Sequence, residues 1–198
     1  MTSNDSTEPR RDDDPSRVVD WIVDLFHRRG DASYIGEAVT QTQHALQAGE
    51  LAQQAGASDE LITAAILHDI GHLLHNLPED IADQGIDDRH EALGERFVAR
   101  HFSPLVAEAV QLHVDAKRYL CATETGYLSD LSAASQKSLA LQGGVFDDDQ
   151  VQHFESHRFW PEAVQVRRWD DRAKDPNRET PPWSDFRESL LAAASVTL

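Results

Sequence analysis

The most apolar stretch of this 198-residue chain, LITAAILHDIGHLL (residues 61–74), carries a histidine and an aspartate side by side, His68 and Asp69. Two ionisable groups in a segment that hydrophobicity sends to the interior need partners there. A buried polar group must be hydrogen-bonded, and an unpaired buried charge is expensive. Whatever the chain folds into must therefore bring compensating groups to this pair. Two solutions are open at this point. Asp69 can cap a neighbouring helix while His68 bonds a backbone carbonyl. Alternatively, a metal ion neutralises the carboxylate and takes neutral imidazole nitrogen as a ligand.

The surrounding pattern is helical almost throughout. From Ser16, the residues Val18, Val19, Ile22, Val23, Leu25 and Phe26 recur at three- and four-residue intervals, and Gly30 closes the segment. A second helix is expected from about Gly36 to Ala55, stopped by Gly56. Ser58 with Asp59 caps a third, which reads as one continuous helix through Leu74. The polar loop NLPEDIADQGIDD separates it from a helix at about Arg89 to His101. Pro104 opens the next, reaching about Tyr119. A helix from Asp130 to Gln142 ends at Gly143 and Gly144. Further helices are expected near residues 148–156, 161–174 and 184–194, the last two separated by DPNRETPPW. No period-two run bounded by turn signals and no internal repeat stands out. The expected fold is all-α, a single helical bundle over residues 16–198. Residues 1–15 form a disordered acidic and polar tail in this reading.

Composition sets the outer bounds. Eighteen Lys+Arg against 35 Asp+Glu give a net charge of −17. That argues against a sequence-independent grip on nucleic acid or an anionic membrane. The apolar runs fall far short of a membrane-spanning helix. The N-terminal residues lack the apolar core of a secretory signal, so a cytoplasmic location is expected. A single cysteine, Cys121, excludes an internal disulfide framework and a multi-cysteine zinc site.

The ten histidines are the informative count. His27, His75, His101, His153 and His157 sit among polar or basic neighbours and read as solvent-facing or capping residues. The others fall on successive helices: His44 before the His68–Asp69 pair, His90 and His113 after it, and Asp170 far downstream. Helix bundles build metal sites from inward-facing side chains on several helices. Six protein ligands are more than one ion needs if it is to keep open positions. Two ions sharing Asp69 fit the count better.

The order H…HD…H…H…D resembles that of the HD-domain superfamily, over roughly Tyr34 to Asp175. The resemblance implies His44, His68, Asp69, His90, His113 and Asp170 as metal ligands, with Asp69 bridging a dinuclear site in the core of the bundle. Three segments narrow it. YIGEAVTQTQHALQAGELA, SAASQKSLALQGG and VRRWDDRAKD are similar to the phosphonate-degrading, mixed-valent diiron oxygenases of that superfamily (PhnZ/TmpB-like). Tyr34 and Glu37 match a tyrosine that holds a position on one iron in the resting enzyme and a glutamate that takes part in an exchange when substrate binds. His72 stands where a cyclic-dinucleotide phosphodiesterase would show the lysine of HDIGK. Lys117 lies one helical turn after His113. With Ser135, Ser138, Gln142 and Arg167, these residues are implied substrate contacts. Ser138 replaces the family's frequent threonine and keeps the hydroxyl. A phosphonate carries two negative charges, which Lys117, Arg167 and His72 can oppose.

The resemblance further implies two iron ions, Fe(II)/Fe(III), and O₂ as co-substrate. The implied reaction is oxidative C–P cleavage of an (R)-1-hydroxy-2-aminoethylphosphonate or its N-trimethylated analogue, giving phosphate plus glycine or glycine betaine. The alternative is a metal-dependent HD phosphohydrolase acting on a nucleotide or phosphate ester. Glu37 can pair with either cationic end. A quaternary ammonium also wants an aromatic wall, for which Tyr34, Tyr119, Trp160 and Trp169 are candidates. The only partner expected is the small-molecule substrate, with a hydroxylase upstream in the same pathway.

Overall fold

The structure is a computed structural model that describes residues 7–34, 37–75 and 89–194. Eleven helices follow in order among the described residues: α1 (Pro15–Arg29), α2 (Gln41–Gln54), α3 (Asp59–Leu67), α4 (Gly71–Leu74), α5 (His90–Val98), α6 (Pro104–Thr123), α7 (Tyr127–Asp130), α8 (Ala133–Leu141), α9 (Asp148–Glu155), α10 (Trp160–Arg172) and α11 (Arg187–Ala194). One isolated bridge, Ser33 to Thr40, is the only extended pairing among them. The fold is all-α, as the periodicity predicts.

Helix α6 is the organising element, packed against α3, α5 and α10. Its Val106, Ala109 and Val110 join Leu46, Ile66, Leu67, Ile70 and Phe97 in the main apolar core. The C-terminal half of α6 builds a second cluster, in which Leu112, Ala116 and Leu120 meet Phe154, Ala163 and Val164. Within the expected N-terminal tail, Pro9 is buried and Glu8 pairs with Arg100. Residues 1–6 lie outside the described residues, as do residues 76–88, where a polar loop is expected from the sequence.

Four boundaries differ from expectation, each for a local reason. Helix α2 begins at Gln41 rather than Gly36, because Thr40 and Gln43 form a reciprocal capping box. The preceding turn is tied by Tyr34 N–H to the Val39 carbonyl at 2.9 Å and Glu37 N–H to the Tyr34 carbonyl at 2.7 Å. The helix expected over 130–142 is split, because the Ser132 hydroxyl accepts from Ser135 N–H and starts α8 afresh. Helix α6 runs one turn further than expected, to Thr123.

The fourth difference positions the site. The apolar stretch is not one helix: α3 stops at Leu67 and α4 starts at Gly71. Between them the chain tightens into i to i−3 bonds, Ile70 N–H to Leu67 at 3.0 Å and His72 N–H to Asp69 at 3.0 Å. On a regular helix adjacent side chains do not face one another. Across the tightened turn the two side chains nevertheless meet, His68 Nε2 lying 3.2 Å from Asp69 Oδ2. Gly71 makes the turn possible, since a Cβ there would lie 1.9 Å from the His90 carbonyl oxygen. Arg89, at φ 51°, swings the chain so that His90 opens α5 against this glycine.

A Gly71→Ala substitution is expected to cost about 3 kcal/mol, because the clash is with backbone and cannot be relieved by a rotamer. Denaturant unfolding of the metal-free protein checks this, and a loss under 1 kcal/mol would refute the close-approach role.

Candidate metal centre

His44 (α2), His113 (α6) and Asp170 (α10) converge with His90, at the start of α5, on the His68–Asp69 turn, and all six residues are buried. Three of the imidazoles are oriented the same way. His44 Nδ1 lies 2.9 Å from the Ala173 carbonyl, His68 Nδ1 2.8 Å from that of Ala65, and His113 Nδ1 2.7 Å from that of Val110. A carbonyl can only accept, so each Nδ1 carries a proton, and in the neutral ring each Nε2 presents a lone pair inward. Two such nitrogens, His44 Nε2 and His68 Nε2, then face each other at 3.0 Å. A second pair, His90 Nε2 and His113 Nε2, is 3.3 Å apart. Facing lone pairs repel unless a cation sits among them. Fixing the outer nitrogen so that the inner one can ligate is how metal-binding histidines are held.

Asp69 divides its carboxylate between the pairs. Its Oδ2 is 3.6 Å from His44 Nε2 and 3.2 Å from His68 Nε2. Its Oδ1 is 3.2 Å from His90 Nε2 and 3.3 Å from His113 Nε2. Asp170 Oδ1 adds to the first set, 3.4 Å from His44 Nε2, while its Oδ2 takes Arg167 Nη1 at 2.7 Å. The groups His44, His68 and Asp69, and Asp69, His72 and His90, are each compact enough to hold an ion. Imidazole and carboxylate without thiolate suit a divalent or trivalent transition metal.

Electrostatics favour ligation. Burial lowers His44 and His113 to about 4 each, so both are neutral at physiological pH. For His68 burial pulls the same way, but the Asp69 carboxylate outweighs it and the value is raised. Burial works against ionised Asp69 and Asp170. The first is nevertheless held well below its usual range by His68 and hydrogen bonds from the imidazoles, the second by Arg167 and Lys174. Both stay carboxylate.

Beside this centre lies a cavity of about 430 Å³, partly open to solvent. Tyr34, Glu37, His72, Lys117, Ser135, Ser138, Gln142 and Arg167, the residues singled out from sequence, all line it. Tyr34 stacks on His44 with ring centroids 3.8 Å apart, and its hydroxyl is 3.4 Å from Asp170 Oδ1. Buried Lys117 donates to Ser138 Oγ at 2.8 Å. Burial, with Arg167 nearby, brings its ammonium down to about 7. His72 stacks on His90 at 3.9 Å, and its Nε2 is 3.9 Å from Asp69 Oδ1. Arg167 faces the cavity but spends its guanidinium on Asp170 and Asp171.

Sequence reasoning missed Lys174, which lines the same cavity and donates to Ser135 Oγ at 3.0 Å. Its spacing of four from Asp170 was the available signal. It also missed Gln47, fully buried one turn after His44. The Gln47 amide donates to the Asp175 carbonyl at 2.8 Å and accepts from Asp175 N–H at 3.1 Å. This two-point clamp holds the segment whose Ala173 carbonyl orients His44. In the other direction, His101 is buried against Phe97 rather than solvent-facing. Tyr119 and Trp160 pack in the second apolar cluster and Trp169 in the main core, away from the cavity.

A helical bundle that gathers four buried histidines and two buried aspartates has the donor set of a metalloenzyme and could hold a dinuclear site. Comparison with known proteins gives the lineage: the HD domain family matches residues 42–171, and the chain belongs to that family. It is 40% identical over 169 residues to a [1-hydroxy-2-(trimethylamino)ethyl]phosphonate dioxygenase (glycine-betaine-forming) of Leisingera caerulea, covering 85% of this chain and 86% of that protein. It is 41% identical over 177 residues to a hydroxymethylphosphonate dioxygenase of Gimesia maris, covering 89% and 88%. A protein of Acanthamoeba polyphaga mimivirus, L432, is 30% identical over 87% of this chain and 80% of its own length. Within the HD domain family, the chain thus groups with dioxygenases of hydroxyphosphonates.

Replacing Gln47 with Leu is expected to weaken metal binding at the His44, His68 and Asp170 set by about 10–100-fold and leave the His90 and His113 set intact. A metal titration of the refolded variant followed by calorimetry would show one weakened step. Two unchanged steps would refute the clamp.

Proposed function

We propose that this protein is a cytoplasmic, O₂-dependent diiron oxygenase that cleaves the C–P bond of a 1-hydroxyphosphonate. The observation that carries this reading is the split Asp69 carboxylate beside a cavity lined by Lys117, Arg167 and Lys174. His44, His68 and Asp170 would hold one iron, His90 and His113 the other, with Asp69 shared. When bound, the iron pair would supply open positions and a redox site for activating O₂, while the four electrons that reduce it come from the C1–H and C–P bonds of the substrate. In the balanced reaction, C1 goes from secondary or primary alcohol to carboxylate, the C–P bond breaks, and phosphorus leaves as phosphate. One O₂ is consumed, contributing both of its atoms to the two products.

The chain's own side chains bind and orient. Lys117, through a position fixed by Ser138, opposes the phosphonate dianion. Ser135, Gln142 and His72 complete its hydrogen bonds, and Arg167 holds Asp170 ionised and in place. Tyr34 is the group displaced as substrate enters, and Glu37 takes part in that exchange. The substrate's C1 hydroxyl requires a hydroxylation upstream.

Metal analysis with low-temperature EPR, followed by an O₂-electrode assay with hydroxyphosphonates, tests the proposal. Two irons per chain and stoichiometric phosphate release are expected. Zinc or manganese with hydrolysis of phosphate esters and no O₂ uptake would establish the phosphohydrolase alternative instead.

Lys117 also predicts a pH dependence. A lysine is charged below its pKa, so binding of the dianion is strongest below about 7 and weakens as pH rises through that value. KM for the phosphonate should increase above pH 7, and Lys117→Met should raise it and flatten the profile. A wild-type KM independent of pH between 6 and 9 would count against Lys117 as the phosphonate contact.

A further inference from the structure

Identity does not say what substituent the substrate carries at C1, since the trimethylammonium-type and hydroxymethyl-type relatives stand at 40% and 41%. The cavity does discriminate. A quaternary ammonium has no N–H to donate and is recognised by the faces of aromatic rings. The chain contains four tryptophans, three tyrosines and seven phenylalanines, and all of them lie among the described residues. Of these, Tyr34 lines the cavity and the rest do not. The Tyr34 ring already has two neighbours. The His44 imidazole stacks on one at 3.8 Å and 16°, and the Lys174 ammonium lies 5.8 Å from the ring centroid.

The acidic partner for a cationic substituent is likewise engaged. Glu37 Oε1 accepts from Ser132 Oγ at 2.5 Å and lies 3.7 Å from Lys174 Nζ. Among the described residues, Lys174 therefore lies over the aromatic ring and beside the glutamate that line the cavity and could receive a cation.

Building on the function proposed above, we infer that this enzyme acts on hydroxyphosphonates with a compact C1 substituent and discriminates against the trimethylammonium substrate. Lys174 is the specificity-determining residue. Hydrogen, as in hydroxymethylphosphonate, fits this environment without displacing Lys174. A primary ammonium must compete with Lys174 for Glu37. A trimethylammonium must displace Lys174 from both Tyr34 and Glu37 and brings no N–H to replace the bonds it breaks.

The test compares hydroxymethylphosphonate, (R)-1-hydroxy-2-aminoethylphosphonate and its N-trimethylated analogue on the iron-loaded protein. Dissociation constants are measured by calorimetry without O₂, and kcat/KM with an O₂ electrode. The trimethylated compound is expected to bind and react at least about 30-fold more weakly than the best of the other two. In Lys174→Met, which keeps the apolar stem, that gap should close by about tenfold. A trimethylated substrate preferred by the wild type would overturn this inference and leave the oxygenase reading standing. An unchanged gap in a folded Lys174→Met would remove Lys174 as its cause. No O₂ uptake with any of the three would overturn both readings.

Discussion

Asp69 places one carboxylate oxygen toward His44 and His68 and the other toward His90 and His113, and the rest of the molecule is arranged to make that possible. A single buried carboxylate cannot satisfy four inward-facing imidazole nitrogens by hydrogen bonding, because a neutral ring whose Nδ1 proton is spent on a carbonyl presents a lone pair there. Without a cation the centre is a cluster of acceptors in the interior, which is costly. The helices nevertheless hold it in that state through the Nδ1 hydrogen bonds. The sequence accepts a less stable metal-free core in exchange for ligands already in position.

The break in the apolar helix is the structural device behind this. Regular continuation through residues 68–70 would point His68 and Asp69 about 100° apart. Across the i to i−3 turn His68 Nε2 nevertheless lies 3.2 Å from Asp69 Oδ2, and the glycine after it admits the His90 backbone into the groove. One local irregularity thus delivers His68, Asp69 and His90 together. The remaining ligands come from the regular helices α2, α6 and α10, which α3 and α6 hold in register through the main core.

This explains what was legible in the sequence and what was not. The helices and the cap at Ser58 follow from periodicity and spacing, whereas the full set of six ligand candidates is what the resemblance to HD-domain proteins implies. The break at His68 was not legible: LITAAILHDIGHLL has helical periodicity throughout, and the backbone of His90, 19 residues beyond Gly71 in the chain, comes against it only in the fold. Lys174 and Gln47 were missed for a related reason. Each looks like an ordinary surface residue in sequence, and each acquires its role from a segment brought alongside by the fold. His101 misled in the same way, its basic neighbours hiding a ring buried on Phe97.

Charge is where the local and global pictures part. The chain carries −17 overall, yet Lys117, Arg167 and Lys174 line the cavity against Glu37, Asp69 and Asp170. Three cations and three anions leave the protein's own contribution near neutrality. Arg167 is committed to Asp170 and Asp171, and Lys174 to Glu37 and Ser135, so the side chains alone offer a dianion little net attraction. The sign of the site is therefore decided by the ions that Asp69 would hold, whose charge exceeds that of any side chain near it. Phosphonate recognition in such a cavity depends on metal loading first and on the basic residues second.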